Sequence, residues 1–148
     1  MTRPKVLVAT DFSNDSQLAV QQARAHAQLT GASILIVHVV QGPATVQGEG
    51  MLHDGAYADE SAPALRRLLD IADVITDAPT EVRVLRGEPS DAILRAAEDA
   101  NVSMIVMGTQ GRTGVARVLM GSVAEQVVRN ASCPVLIVKR PKDLATAI

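Results

Sequence analysis

The chain has 148 residues, of which 47% are hydrophobic and 20% charged, the proportions of an ordinary globular domain with a sizeable core. The net charge is -2, there is no basic tract, and Phe12 and Tyr57 are the only aromatic residues, which argues against nucleic acid as the main partner. The longest apolar stretch, residues 34–40, is too short to cross a bilayer, so no membrane partner is expected. One cysteine, Cys133, excludes an internal disulfide and suits a reducing compartment. We expect a soluble cytoplasmic protein with one domain over residues 1–148.

The first third of the chain reads as a strand, a helix and a second strand. Lys5 to Thr10 is apolar and β-branched, which predicts a strand buried on both faces. Ser13 is placed to cap a helix running to about Thr30, and Gly31 is placed to end it. The predicted inner face of this helix carries Ala19, Val20, Ala23 and Ala27. Residues 33–40 predict the second buried strand.

Residues 41–58 contain four glycines, one proline and few periodic apolar positions, so they predict a long flexible loop. Such a loop is either a functional lid or a plain insertion, and both alternatives stay open. A helix over about residues 60–74 follows from apolar residues at i, i+3, i+4 and i+7, namely Leu65, Leu68, Leu69 and Ala72. Pro63 is compatible only with the first turn of that helix.

The rest of the chain continues the alternation. The predicted strands are residues 81–85, 104–107 and 135–139, and the predicted helices are residues 90–100 and 123–131. Short, nearly all-apolar strands that alternate with helices predict an α/β fold. We therefore expect a single-domain, open, doubly wound and Rossmann-like sheet of five parallel strands, with helices on both faces and right-handed crossovers.

Residues 108–122 hold four of the ten glycines and join the fourth strand to the fourth helix. Glycine lets the backbone turn sharply and lets a ligand approach the chain closely. Ser122 and Glu125 have the spacing of a capping box, which predicts a helix start capped by Ser122. Free N–H groups and the positive end of a helix dipole attract anions. Since ligands of open parallel sheets lie at the carboxyl ends of the strands, this stretch predicts a phosphate site.

The glycine spacing over residues 108–122 is Gly-x2-Gly-x9-Gly-Ser, which is neither the dinucleotide fingerprint nor a P-loop. It resembles the nucleotide signature of the universal stress protein family. The resemblance extends over nearly the whole chain and is carried by VLVATDFSNDSQLAV, LIVHVV, VLRGEPSDAIL, MIVMGTQGRTGVARVLMGSVAEQVV and CPVLIVK. It is weakest over residues 41–78, where the family varies in length. The resemblance implies that the protein binds ATP, with or without magnesium, with AMP or a cyclic nucleotide as alternatives.

The resemblance also implies which residues hold the adenosine part of the nucleotide. Asp11, with Thr10 beside it, would contact adenosine through hydrogen bonds, and Val39 would line the adenine pocket. Met107, directly before the first glycine of the signature, belongs to the same set of binding residues. From the residues alone, Asp11 is also a turn or cap residue, and Val39 is equally well explained by core packing.

The phosphate end of the ligand is implied to lie along the glycine stretch. Gly108 and Gly111 would let the backbone run along the ribose and phosphates, and Arg112 would neutralise phosphate charge. The helix start would present N–H groups and a hydroxyl from Gly121, Ser122 and Val123. The alternative for Arg112, as for Arg117, is a side chain that is simply solvated.

We favour a nucleotide-binding protein of the stress response over an enzyme, and no catalytic residue is predicted. Phosphoryl transfer needs a carboxylate that holds metal and a group that positions the nucleophile, and only Asp11 is a candidate near the site. The alternatives are a slow ATPase or phosphoryl-transfer enzyme and a dimeric scaffold stabilised by bound nucleotide. No metal spacing links His26, His38 or His53 to Cys133, and His38 is expected to be a packed, hydrogen-bonded histidine.

The last predicted strand ends the element order and is expected at an edge of the sheet. An uncovered apolar edge invites pairing with another chain. The resemblance implies a homodimer joined through Val135–Val138 with two-fold symmetry. The alternative is an edge guarded by its flanking cations, Lys139, Arg140 and Lys142.

Overall fold

The computed structural model describes residues 3–41, 55–109 and 120–141. Within these ranges, five strands alternate with four helices in the predicted order. The strands are β1 (Lys5–Ala9), β2 (Ser33–Val40), β3 (Thr80–Arg86), β4 (Met104–Gly108) and β5 (Val135–Val138). The helices are α1 (Asn14–Thr30), α2 (Gly55–Asp73), α3 (Pro89–Ala100) and α4 (Ser122–Asn130). Over the same ranges no helix has the length and apolar character that crossing a membrane requires.

The five strands form one parallel sheet in the order β3-β2-β1-β4-β5. Strand β1 is central: its Val6 lies beside Ile34 of β2 on one side and Met104 of β4 on the other. The chain first adds β2 and β3 on one side of β1 and then adds β4 and β5 on the other. The predicted open, doubly wound parallel sheet is therefore confirmed, and β5 lies at an edge of the sheet as expected.

Successive residues of a strand point to opposite faces of the sheet, so strands that are apolar throughout present apolar side chains on both faces. Two helices cover each face. In β1, Val6 and Val8 belong to one core and Leu7 to the other, and none of the three is accessible to solvent. The first core packs the sheet against α1 and α2, and the second packs it against α3 and α4. Representative fully or nearly fully buried helix residues are Ala23, Leu68, Ile93 and Val127.

Helix α1 has the predicted boundaries, caps and buried face. The Ser13 side chain accepts the backbone N–H of Ser16 at 3.3 Å, and Gly31 ends the helix in the left-handed conformation, with φ of 77°. The predicted inward residues Ala19, Val20, Ala23 and Ala27 are all buried. Their small side chains let the helix lie close to the sheet.

Helix α2 begins earlier than predicted. It starts at Gly55, so the predicted loop over residues 41–58 is wrong for residues 55–58, while residues 42–54 lie outside the described part of the chain. Pro63 lies inside the helix rather than in its first turn. The helix continues past the proline because Ala64 and Leu68 are buried against the sheet, and burial outweighs local propensity.

The buried stripe of α2 also differs from the leucine spacing that predicted the helix. Leu65 and Leu69 are 42% and 47% exposed, whereas Leu68 is fully buried. The face of α2 toward the sheet consists of Ala64, Leu68 and Ile71, which again have helical spacing, and Ile75 joins the same core just beyond the helix.

Candidate functional site

A cleft of about 570 Å³ lies at the edge of the sheet where the strands have their carboxyl ends. Its volume is in the range of small-molecule sites, about 300–1,000 Å³. It opens where β1 and β4 end side by side, and the winding of the chain reverses between these two strands. This is the position at which open parallel sheets hold ligands.

The cleft brings together every predicted binding residue that the structure describes. These are Thr10, Asp11, Val39, Met107, Gly108, Gly121, Ser122 and Val123. The other two predicted residues, Gly111 and Arg112, lie outside the described ranges. The three separated stretches of sequence thus converge at one place, while the roles given to the individual side chains stay predictions.

The cleft is also lined by residues that were not predicted from the sequence. Pro89 and Ile93, in the first turns of α3, line the cleft, and so does Glu60 of α2. A usable signal existed for the first two residues, because α3 follows β3 directly and must therefore start at the same edge of the sheet. Glu60 had no such signal, since α2 was predicted to begin near this residue and its approach to the cleft depends on how the helix packs.

The chain leaves β1 through a turn that is held by side-chain hydrogen bonds. The Thr10 hydroxyl oxygen accepts the backbone N–H of Phe12 at 3.0 Å and lies 2.8 Å from the hydroxyl of Ser16. Asp11 Oδ1 accepts the backbone N–H of Ser13 at 3.0 Å. The two interpretations of Asp11 are therefore compatible, because the residue whose carboxylate braces the turn also lines the cleft.

Phe12 adopts a left-handed backbone conformation, with φ of 69°. This conformation costs a residue other than glycine about 1–3 kcal/mol and persists only where the surroundings impose it. The Phe12 ring lies 4.4 Å from the His38 ring, centroid to centroid, and the guanidinium carbon of Arg67 lies 4.0 Å from the Phe12 centroid. We refer to Arg67, Phe12 and His38 as the aromatic cluster.

His38 also holds the turn through its ring nitrogen, which lies 2.8 Å from the carbonyl oxygen of Thr10. A carbonyl oxygen can only accept, so Nδ1 carries the hydrogen and donates it. The expectation that His38 is a packed, hydrogen-bonded histidine is confirmed.

Two helices begin at the cleft, and their first N–H groups are bonded differently. At α3 the carboxylate of the capping residue Glu88 accepts the backbone N–H of Ser90 at 3.3 Å and that of Asp91 at 3.0 Å. The Ser90 hydroxyl, followed by the Asp91 N–H, holds the pKa of Glu88 below its ordinary value. At α4 the capping residue is Gly121, which has no side chain, and among residues 3–41, 55–109 and 120–141 no side chain is found to cap the helix. The α4 start therefore has the first-turn N–H groups that a helix leaves without internal partners, and it faces the cleft.

The predicted capping box at α4 is wrong. Gly121 is the cap, and Ser122 is the first helical residue, so Glu125 stands one position too late to complete the box. The Gly121 N–H donates to the carbonyl oxygen of Thr109 at 2.5 Å, which fixes the chain immediately before the helix. As a result, the exposed Ser122 side chain lines the cleft.

Gly108 is required for a close approach between β4 and α1. A Cβ atom at this position would lie 3.0 Å from both the Cβ and the carbonyl oxygen of Asp15. Asp15 is buried in the first turn of α1, and its Oδ1 accepts from Nε and from a terminal nitrogen of Arg140 at 3.0 and 2.8 Å. Arg140, considered above as an edge guard, thus ties the end of β5 to the start of α1.

Metal-binding and thiol chemistry receive no support from the described residues. Among residues 3–41, 55–109 and 120–141, no group of three or more His, Cys, Asp or Glu side chains is placed to hold a metal ion. Cys133 is half-buried, and burial raises the pKa of its thiol, which disfavours the reactive thiolate.

The fold defines a doubly wound α/β protein, and the cleft lies at the reversal point of its sheet. The model of the universal stress protein family matches residues 2–139, and the chain belongs to that family. It is 35% identical over 142 residues to universal stress protein MJ0531 of Methanocaldococcus jannaschii, an alignment that covers 93% of this chain and 83% of the relative.

Solved structures share the fold over nearly their whole length. The structure of MJ0577 superposes with a TM-score of 0.82 at 27% identity, covering 97% of this chain and 100% of that one. A universal stress protein in complex with cAMP gives 0.69 at 26% identity, with 93% and 98% covered. The protein from Archaeoglobus fulgidus in complex with dAMP gives 0.64 at 26% identity, also with 93% and 98% covered.

Proposed function

We propose that this protein binds an adenine nucleotide in the cleft between β1 and β4, and that this nucleotide is ATP. It would act as a cytoplasmic regulatory protein of the stress response, with residues 1–148 as one domain, and not as a fast enzyme. The observation that carries the proposal is the difference between the two helix starts at the cleft. The start of α3 is filled by the Glu88 carboxylate, whereas α4 begins at Gly121 without a side-chain cap.

This difference supports a proposal in which the phosphate end of the ligand lies at the start of α4. An anion at a helix start is stabilised by the free N–H groups and by the positive end of the dipole. At α3 that place is already taken by a carboxylate of the chain, so a phosphate there would meet a like charge. We propose that phosphate binds the N–H groups of Ser122 and Val123 and the Ser122 hydroxyl, beside the backbone of Gly108, Gly111 and Gly121.

The adenosine end would then lie toward the ends of β1 and β2. Val39 and Met107 offer apolar surface for the base, and the Asp11 carboxylate offers acceptors for its hydrogen-bond donors or for the ribose hydroxyls. Thr10 is buried and its hydroxyl already bonds Phe12 and Ser16, so its contribution is to hold the turn. Two related proteins have been solved in complex with cAMP and with dAMP. These two ligands have the adenine group in common and differ in sugar and phosphate, which supports adenine as the group that is recognised.

The charge of the cleft bears on which nucleotide is preferred. The described lining residues include the carboxylates of Asp11 and Glu60 and contain no lysine or arginine. A triphosphate therefore needs countercharge beyond the dipole of α4, and we propose that Arg112 and a bound Mg²⁺ ion supply it. A ligand with less charge, AMP or a cyclic nucleotide, would need neither and is the alternative.

Calorimetric titration tests the proposal with adenosine, AMP and ATP, each with and without Mg²⁺. We expect the wild type to bind ATP and Ser122→Ala to lower the affinity for ATP about tenfold or more, because a hydrogen bond to a charged group contributes about 1.5–3 kcal/mol. Ser132→Ala is the matched control, since Ser132 is exposed just beyond α4 and does not line the cleft. Wild-type protein that binds none of the three ligands at millimolar concentration would refute the proposal.

A slow ATPase is the second candidate, because Asp11 is a carboxylate at the cleft wall. One of its oxygens already accepts the Ser13 N–H, which favours a bracing and binding role. ATP hydrolysis should be compared in wild type and Asp11→Ala. Turnover well above background that disappears in the variant would establish the enzyme and overturn our preference for binding alone.

We also propose a homodimer through β5 (Val135–Val138). Strand β5 is the edge of the sheet, and Leu136 and the α4 residue Val128 remain 38% and 44% exposed. Pairing of two edges about a two-fold axis would cover these side chains. Sedimentation at micromolar concentration should show a dimer that Leu136→Lys weakens. A wild-type monomer under these conditions would remove the proposal.

A further inference from the structure

We propose that Phe12 is a positioning residue: its contacts with Arg67 and His38 hold the turn that keeps the Asp11 carboxylate at the cleft. This inference rests on the proposed nucleotide binding and deepens it. It assigns a role to helix α2, whose Arg67 does not line the cleft, in setting the affinity of the site.

The backbone conformation of the turn at Phe12 is unusual. A left-handed φ is uncommon for any residue other than glycine, and for a bulky residue it needs a structural cause. Phe12 directly follows Asp11, and its N–H is bonded to Thr10 while the next N–H, of Ser13, is bonded to Asp11. The conformation of Phe12 therefore determines whether the Asp11 carboxylate can meet both the Ser13 N–H and the cleft.

The cause of this conformation lies in contacts from two other elements. His38 of β2 packs on the Phe12 ring and also donates to the Thr10 carbonyl, so it holds the turn at two of its residues. Arg67 of α2 places its guanidinium 4.0 Å from the ring centroid, which is the distance of a cation–π contact. The ring is thus held by a strand and by a helix that are separated from the turn in sequence.

These contacts have a consequence for ligand binding. If the turn is held partly by α2, a ligand that engages Asp11 must also stabilise the docking of α2 around Arg67. Thermodynamic linkage makes this effect reciprocal, so weakening the Arg67 contact lowers the affinity for the ligand. Arg67 would then modulate the site without touching the nucleotide.

The test uses Arg67→Met, which keeps an unbranched side chain and removes the cation, with Arg66→Met as its matched control. Both arginines are exposed on α2, and only Arg67 lies over the Phe12 ring. ATP affinity is measured by calorimetry, and hydrogen exchange of the Phe12 and Ser13 amides is measured in the ligand-free protein. We expect Arg67→Met to weaken ATP binding about two- to five-fold and to speed hydrogen exchange at both amides. Neither the ATP affinity nor the exchange rates should change in Arg66→Met.

Phe12→Leu extends the test by removing the ring while keeping an apolar side chain. We expect about five- to fifty-fold weaker ATP binding, and no further effect of Arg67→Met in the Phe12→Leu background. If Phe12→Leu does not fold, the surface variant Arg67→Met decides the question.

The proposal is overturned if the two amides of Arg67→Met exchange at the wild-type rate, or if that variant binds ATP as tightly as the wild type. It is also overturned if Arg66→Met loses as much affinity for ATP as Arg67→Met. Wild-type protein that binds no adenine nucleotide would instead remove the proposed function. The claim that the aromatic cluster holds the turn would then be decided by the exchange rates of Phe12 and Ser13 alone.

Discussion

Replacing Gly108 with alanine tests whether the end of β4 and the start of α1 are in direct contact. The added Cβ would stand 3.0 Å from the Cβ and the carbonyl oxygen of Asp15 and 3.1 Å from its carbonyl carbon. Two of these atoms are backbone atoms of α1, and the third belongs to a buried side chain that is bonded to Arg140. The contact can be relieved only if the first turn of α1 moves by a few tenths of an ångström.

The expected loss follows from the cost of overpacking. An additional methyl group in a close-packed place costs about 1–3 kcal/mol, whereas replacing glycine by alanine at a permitted conformation gains about 0.4–1 kcal/mol. The two ranges together allow a net destabilisation of about 0–2.6 kcal/mol, and their middle values give about 1.3 kcal/mol. With an unfolding entropy of about 2.1 cal/mol/K per residue, a chain of this length loses about 3 °C of Tm for each kcal/mol. We expect Gly108→Ala to lower Tm by about 4 °C, which corresponds to the middle values.

Differential scanning calorimetry measures this effect, and Gly108→Val provides the series. A steric cause predicts a larger loss with valine, because its two additional methyl groups need still more room. A Tm for Gly108→Ala equal to or above that of the wild type would refute the close contact. A smaller loss with valine than with alanine would do the same.

Two further predictions concern the buried carboxylate of α1 and the cap of α3. Arg140→Met should lower the free energy of unfolding by about 1–3 kcal/mol, because it leaves the buried Asp15 carboxylate without its cation, while Lys139→Met should change it little; equal effects would contradict the pairing. Glu88→Ala should cost about 0.5–2 kcal/mol near neutral pH. Since folding lowers the pKa of Glu88, its stabilisation is present above the ordinary glutamate pKa and lost as the pH falls through the folded pKa. In denaturant titrations, the difference in the free energy of unfolding between wild type and Glu88→Ala should become smaller in acid. A difference that does not change with pH would contradict the stabilisation by the ionised Glu88 carboxylate.

The sheet could be predicted from the sequence because its strands are short apolar runs whose two faces are both buried. Val6 to Val8 and Ile34 to Val37 contain no polar residue, a pattern that fits parallel strands covered on both sides and little else. The start of α2 could not be predicted, because its course past Pro63 depends on burial of Ala64 and Leu68 against the sheet. Local propensity contains no information on such a contact.

The candidate site could be predicted where backbone topology alone determines position. Asp11, Val39 and Gly108 meet because each stands at or just beyond the carboxyl end of a parallel strand. The prediction that Ser122 caps α4 was wrong because Ser and Gly both occur at the cap position of a helix. The hydrogen bond from the Gly121 N–H to the Thr109 carbonyl oxygen decides between them. The aromatic cluster had no sequence signal, since Arg67 and Phe12 are brought together only by the packing of α2.

The central claim is that an adenine nucleotide binds in the cleft with its phosphate at the start of α4. A crystal structure of the protein with bound ATP tests it most directly. We predict phosphate oxygens within hydrogen-bond distance of the backbone nitrogens of Ser122 and Val123, with the adenine beside Val39. Phosphate at the start of α3, or nucleotide bound outside the cleft, would contradict the claim.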